Sequence, residues 1–433
     1  MFNPRNDAYF KKLRRKEFAR LDKLNQVYLD YTGGHLYPET LLKKHYRYLQ
    51  KEVYGNPHSV NPPSVLSEKN ITETRQAVLD FFNAGDYYCI FTPNATGALK
   101  IIAESYPFSE DSHLLLTTDN HNSVNGIREY CRKKGGEITY SPVDAHSLRI
   151  REDILHQHLM SRKNKQSRLF AFPGQSNVSG VQHPLEWIQK AKMQGWDVLL
   201  DAAALAPSSV LDLSVVKPDF VSLSFYKIFG YPTGIGCLLV KKDAFEKLKK
   251  PWFAGGTITL SAVTHNNHFL KQDHERFEDG TVNYLGIPAV REGLSFIKNI
   301  GMQRIHERVR ETGSYILTEL SALKHKNGRP LIKLYGPQDM EDRGGTFLMN
   351  FYDERGNGYP ISLVEQTAGE QNIALRTGCF CNPGIDELNH SLTEAELKSY
   401  FSSRQHGDYF DVMNFLGKTR GAVRLSIGFP TTK

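Results

Sequence analysis

Six short apolar runs constrain what this chain can fold into. They are "YYCIF" (Tyr87 to Phe91), "HLLLTT" (His113 to Thr118), "RLFAF" (Arg168 to Phe172), "DVLLDAA" (Asp197 to Ala203), "DFVSLSF" (Asp219 to Phe225) and "GCLLV" (Gly236 to Val240). Each is separated from the next by polar or helix-patterned sequence. Near-continuous apolar runs between helices predict strands buried on both faces, hence a mostly parallel sheet covered by helices. Sheets of that kind bind ligands outside the carboxyl ends of their strands. Here those ends are chemically rich. "TPNATGALKIIAE", "DNHNSVNGIRE" and "PGQSNVSG" follow the first three runs, the fourth carries Asp201, and the fifth leads into Tyr226 and Lys227. A purely structural protein has little reason for that distribution.

At 433 residues the chain is long for one core, and two domains are expected. The larger spans residues 20–285. The smaller, of α+β texture, spans 286–433, opens with the helix "PAVREGLSFIKNI" and continues through the strands "GGTFLMNFY" and "GAVRLSIGF"; residues 1–19 are expected to pack on it. Apolar residues at 40% and charged residues at 23% are ordinary for a soluble globular protein. The net charge of +7 owes much to "KKLRRKEFAR" (Lys11 to Arg20), with six basic residues and one acid. No basic and aromatic interleaving follows it, so it reads as a solvated helix face, and nucleic acid is not an expected partner. Five cysteines without CxxC or Cys/His spacing predict neither a disulfide framework nor a metal site. The N-terminus lacks the apolar core of a signal peptide, and no stretch approaches the ~18 apolar residues of a membrane span. A reducing cytoplasm is the expected setting, with no membrane partner.

Lys227 lies in "SFYKIFGYPTGIG" (Ser224 to Gly236), just after an apolar run. An amine there loses solvation, which lowers its pKa and frees a nucleophile. Asp201 ends another run 26 residues earlier. A lysine Schiff base with an aspartate facing a pyridinium nitrogen is what a protein contributes to pyridoxal phosphate chemistry. "Asn94-Ala95-Thr96-Gly97" sits between a strand and a helix, where backbone N–H groups at Ala95 and the Thr96 hydroxyl suit a phosphate; Ser224 can add another hydroxyl. His121 follows a strand and an Asp-Asn turn, placed to stack on a ring and move a proton.

The order of "YLDYTGG", "FTPNATGALK", "DNHNSVNGIREY", "FPGQSNVSG", "LLDAAA", "SFYKIFGYPTGIG", "FEDGTVNYLGI", "LRTGCFCNPG" and "GAVRLSIGF" resembles class V aminotransferase-type enzymes. More narrowly, it is similar to the N-terminal cysteine-desulfurase domain of molybdenum cofactor sulfurases. The resemblance runs from about residue 28 to residue 428. It implies fold type I of the pyridoxal-phosphate transferases: a large domain with a mostly parallel seven-stranded sheet, and a smaller α+β C-terminal domain. It implies that Lys227 carries the cofactor, His121 stacks on it, Asn177 contacts its phenolic oxygen and Asp201 its ring nitrogen. Ala95, Thr96 and Ser224 would hold the phosphate, and Thr281 would reach the phosphate of the other subunit of a homodimer. Arg424, with Arg376 and Asn177, would bind the substrate, L-cysteine or a related amino acid. Cys381, the second cysteine of "RTGCFC", would take its sulfur as a persulfide for a separate acceptor protein.

Cys381 also suits this role from its surroundings. "Gly378-Cys379-Phe380-Cys381-Asn382-Pro383-Gly384" has the turn residues expected of a mobile loop. Departures from the resemblance are definite. Tyr226 stands where many desulfurases have His, Ala204 where simple desulfurases often have Gln, and Ile385 and Asp386 where sulfurases often carry a further cysteine. The sulfurases add a C-terminal cofactor-binding domain, which is not expected within these 433 residues. Two alternatives stay open: another lyase, epimerase or aminotransferase of this fold that does not use Cys381, or a catalytically idle scaffold.

Overall fold

The computed structural model describes residues 3–161, 164–418 and 420–432, so Met1, Phe2, Arg162, Lys163, Thr419 and Lys433 of the expected domain spans lie outside the described residues. The six apolar runs form strands of one sheet: Tyr87–Thr92, Ser112–Thr117, Ser167–Pro173, Asp197–Asp201, Phe220–Ser224 and Gly236–Lys241. The seventh strand, Glu137–Ser141, pairs with Ser112–Thr117 at the sheet edge. It is half-buried up to Ser141 and so carries no apolar run to betray it. Pairing is parallel except for Gly236–Lys241, which runs antiparallel between Tyr87–Thr92 and Phe220–Ser224.

Side chains alternate across the sheet with period two. Leu115, Phe170, Phe172, Leu200, Val221 and Leu223 enter the core on one face, and Leu114, Leu116, Leu169, Ala171, Leu199 and Phe220 the core on the other. The expected strand ends shorten slightly. The fourth strand stops at Asp201, and Phe225 already begins a helix. In register, Pro173 stands beside Asp201, Asp201 beside Ser222, and Ser224 beside Gly236. The chemistry-bearing ends therefore share one edge.

A second, antiparallel sheet combines Ile332–Tyr335, Thr346–Phe351, Ala422–Ser426 and Arg376–Gly378. The N-terminal helix Pro4–Glu17 lies on the same part of the molecule. Phe10 packs against Phe429, Arg308 donates to Asp7 at 2.9 Å, and Arg14 donates to the Pro430 carbonyl at 2.9 Å. Lys11, Lys12, Arg15 and Lys16 face solvent. Helix Ile287–Ile300, expected to open the smaller domain, instead packs on helices Glu39–Lys51 and Pro62–Phe81. Its apolar face, with Ile287, Val290, Leu294 and Ile297 buried, closes on the body that carries Lys227. Val27–Tyr28, by contrast, pairs in parallel with Ile373–Ala374. No described helix is long and apolar enough to cross a membrane, and no metal-ligating cluster occurs among the described residues.

Candidate active site

The strand Phe220–Ser224 turns at once into a one-turn helix, Phe225–Phe229. Phe225, Ile228 and Phe229 are buried and pin the turn, while Lys227 lines a crevice at the sheet edge. The same crevice is lined by Asp201, His121, Asn177, Ser224, Ala95 and Thr96. Lys227 makes no hydrogen bond or ion pair among the described residues. Burial holds its amine below the ordinary lysine range; the Asp201 carboxylate pulls it back up and the Arg424 guanidinium pushes it down further. Burial thus favours the uncharged, nucleophilic form of the amine.

Asp201 is aimed by its neighbours. Its Oδ1 accepts from the Ser222 hydroxyl at 2.9 Å and the Ala203 N–H at 3.1 Å, leaving Oδ2 without a partner among the described residues. His121 precedes the short helix Asn122–Asn125, and its Nδ1 accepts the Ser123 N–H at 3.1 Å. An acceptor at Nδ1 puts the ring proton on Nε2. Burial keeps the imidazole below its ordinary pKa, with Lys227 and Arg424 pushing the same way and Asp201 opposing them. A neutral imidazole thus stands beside the amine.

At the other end of the crevice starts the helix Ala95–Ser105. Asn94 caps it by accepting from the Gly97 N–H at 3.0 Å. The Ala95 N–H donates to Ser224 Oγ at 2.8 Å, and the Thr96 hydroxyl meets the Ser123 hydroxyl at 2.8 Å. The Thr96 N–H has no partner among the described residues. Gly236 lets this turn approach the sheet, because a Cβ there would lie 2.4 Å from the Leu223 carbonyl and 2.7 Å from the Asn94 backbone. A helix N-terminus with three hydroxyls is an anion cradle. Amine, carboxylate, neutral imidazole and anion cradle together fit the donor set that pyridoxal phosphate requires.

Of the remaining expected residues, Arg424, Arg376, Cys381 and Thr281 are not among those that line this crevice. Arg424 is 3% exposed and already engaged: it donates to Asp30 Oδ1 at 2.8 Å and to the Asn177 carbonyl at 3.0 Å, with its Nε unpartnered. Arg376, its neighbour in register, is more exposed and grips Asp30 Oδ2 through Nε at 3.0 Å and a terminal nitrogen at 2.7 Å. Asp30 is thus a shared anchor that the sequence reading missed. It sits in the quoted "YLDYTGG", yet nothing in that motif points to Arg424. The Asn177 amide donates to the Phe380 carbonyl at 2.8 Å. Cys381 is exposed, and its carbonyl accepts the Asn122 N–H at 2.7 Å, beside His121. The loop expected to be mobile is fastened at these points. Burial and the nearby Asp386 push the Cys379 thiol above its ordinary pKa. Thr281 is exposed, accepts from Asn56 at 3.4 Å, and lines a separate groove with Thr92, Pro93 and Gly97. Its loop is held to the first strand by Glu278, which pairs with buried Arg75 at 2.7 Å and accepts the Phe91 N–H at 2.7 Å.

Residues 27–433 match the family model described as aminotransferase class-V. The chain belongs to the class-V aminotransferase family. Within that family it is similar to molybdenum cofactor sulfurase of Arabidopsis thaliana, at 37% identity over 472 residues, covering 99% of this chain and 57% of that protein. It is 35% identical to human molybdenum cofactor sulfurase over 449 residues, covering 98% of this chain and 49% of the human one. The chain therefore spans about half the length of the curated relatives it matches. Among solved structures it superposes on a cysteine desulfurase from Thermococcus onnurineus NA1 with a TM-score of 0.79 and 23% identity, covering 100% of this chain and 95% of that one. It superposes on the complex of the cystine C-S lyase C-DES with its product cysteine persulfide with a TM-score of 0.71 and 19% identity, covering 95% of each chain. At these identities the two structures show a shared fold.

Proposed function

We propose that this chain is a pyridoxal-phosphate-dependent cysteine desulfurase that converts L-cysteine to L-alanine and leaves the sulfur on Cys381. Lys227 would hold the cofactor covalently, Asp201 its ring nitrogen, Asn177 its phenolic oxygen, and Ala95, Thr96 and Ser224 its phosphate, with His121 against the ring. When bound, the cofactor supplies an electron sink for charge developing on the substrate. Arg424 and Arg376 bind the substrate carboxylate, a task that suits guanidinium geometry. Once the substrate amine has displaced it from the cofactor, the Lys227 amine, held below its ordinary range by burial, would take the alpha proton. The Cys381 thiolate attacks the substrate sulfur. A sulfur–sulfur bond forms, the carbon–sulfur bond breaks, and its electron pair stays with the carbon skeleton, which takes up a proton and leaves as alanine. The net change is cysteine plus thiol to alanine plus persulfide. His121, neutral and protonated on Nε2, is placed to move protons at this centre.

One observation carries this reading. The Cys381 carbonyl accepts the N–H of the residue after His121, and His121 lines the crevice that Lys227 and Asp201 share. The working form is a homodimer in which Thr281 completes the phosphate site of the partner subunit. The sulfur passes on to a separate acceptor, and the names of the relatives make molybdenum cofactor a candidate end user. A reducing cytoplasm keeps the exposed thiol in the form the step needs. The test is anaerobic incubation of the cofactor-loaded protein with cysteine, with alanine, sulfide and protein-bound persulfide all measured. Alanine in step with persulfide supports the proposal; no alanine overturns it.

A further inference from the structure

The loop that carries Cys381 is clamped from beneath, and one side chain does most of the clamping. Asn382 is fully buried. Its Nδ2 donates to the Asp119 carbonyl at 2.7 Å and to Asn177 Oδ1 at 3.1 Å, and its Oδ1 accepts the Ile385 N–H at 3.4 Å. It therefore ties the cysteine loop to the turn that presents His121 and to Asn177. That turn is itself fixed. Asp119 is paired with buried His183 at 2.7 Å, and Asn120 donates to the Ala171 and Thr117 carbonyls, both at 3.0 Å.

Three further contacts act in the same direction. The Asn122 N–H reaches the Cys381 carbonyl, the Asn177 amide reaches the Phe380 carbonyl, and the Arg424 guanidinium lies 4.8 Å over the Phe380 ring. Gly384 allows the approach, since a Cβ there would lie 1.9 Å from the Thr118 carbonyl. Phe380 and Cys381 both hold φ at +56°, in the left-handed region that side chains disfavour. Such a backbone persists only where its surroundings over-determine it. Here the anchors are the surroundings, and the exposed thiol is the group they aim.

We infer that Asn382 is a positioning residue for the Cys381 thiol, which works from a fixed loop at the crevice mouth rather than from a swinging one. The inference rests on the reading of Cys381 as the sulfur-accepting nucleophile. It implies that a sulfur acceptor must come to the crevice mouth to collect its cargo.

The test compares cofactor-loaded wild type with Asn382→Ser, Asn122→Pro and Cys381→Ser. Serine keeps an oxygen able to cap the helix that follows but is too short to reach the Asp119 carbonyl. Proline at Asn122, the first residue of its helix, is tolerated there and removes only the N–H that holds Cys381. Misplacing a reacting group by about 1 Å costs on the order of 100-fold in rate, so kcat for alanine should fall by about that factor in both variants. KM for cysteine and cofactor content should stay at wild-type values in Asn122→Pro, whose lost N–H holds only the cysteine loop, a split that general unfolding does not produce. Wild-type kcat in Asn382→Ser overturns the inference, as does a kcat that falls only in step with cofactor content. If Asn382→Ser does not fold, Asn122→Pro decides by the same criteria. Cys381→Ser separates the two claims. Wild-type turnover in it sinks the desulfurase reading, whereas an inactive Cys381→Ser beside an unimpaired Asn382→Ser sinks this inference alone.

Discussion

Asp30 Oδ1 accepts a 2.8 Å hydrogen bond from the Arg424 guanidinium, joining residues 394 positions apart. The same carboxylate holds Arg376 through Oδ2, so one acid orients both arginines of the proposed substrate site. Arg424 is buried, and deleting its counter-charge leaves a guanidinium stranded. Removing one partner of a buried ion pair typically costs about 3–5 kcal/mol. Asp30→Ala should therefore lose stability of that order in urea unfolding, while Arg376→Ala, which removes the more exposed partner, should lose much less. Equal losses in the two variants would mean that Arg424 does not depend on Asp30.

His35 reports on the seam behind Lys227. It is stacked on Phe429 at 4.6 Å, and its Nδ1 donates to the Leu36 carbonyl at 2.7 Å. Burial lowers its pKa from 6.5 to about 4, against a smaller opposing effect of the Leu36 bond. The unfolded chain thus takes up a proton between these values that the folded one refuses. The stability this residue contributes is complete above pH 6.5 and is lost as pH falls toward about 4. His35→Phe keeps the stacking and removes the titration. The stability difference between wild type and variant should be flat above pH 6.5 and shift in favour of the variant below it. A difference that stays constant down to about pH 4 would contradict this.

Lys227 is expected to be the residue that captures the cofactor. Borohydride treatment of the loaded protein, followed by peptide mass spectrometry, should find the cofactor on Lys227. Lys227→Ala should melt close to wild type, because the side chain lines a crevice and makes no hydrogen bond. An adduct on another lysine would displace the assignment.

How much of this was legible beforehand follows from where each signal resides. Buried strands announce themselves as apolar runs, and the groups at their ends are local to them. Asp201, Ser224, Lys227, Thr96 and His121 were therefore readable, and the structure brings them to one crevice. The strand Glu137–Ser141 was not, since an edge strand with half-buried side chains leaves no apolar run. Asp30 and Asn382 were not, because their partners are remote in sequence and only the folded chain supplies them. Turn residues suggested a mobile cysteine loop. Composition reports a turn but not the hydrogen bonds that fasten it. The helix Ile287–Ile300 misled in a similar way: its periodicity was plain, but not which body its apolar face would join.

Thr281 tests the shared-site proposal. Loss of one hydrogen bond to a charged phosphate is worth about 1.5–3 kcal/mol, roughly tenfold or more in affinity. Thr281→Ala should release cofactor at least tenfold more readily in equilibrium dialysis, with its fold intact. In ultracentrifugation the loaded wild type should sediment as a dimer. A fully loaded monomer would refute the proposal.

Alanine release by Cys381→Ser and Cys379→Ser, measured side by side with cysteine as substrate, bears most directly on the central claim. Cys381 is exposed beside His121, while Cys379 is half-buried with its thiol pKa pushed up by burial and Asp386. Cys381→Ser should keep its cofactor, still bind cysteine, and lose alanine production, whereas Cys379→Ser should retain most of it. Undiminished alanine release by Cys381→Ser would contradict the account and identify the chain as a lyase that does not use this thiol.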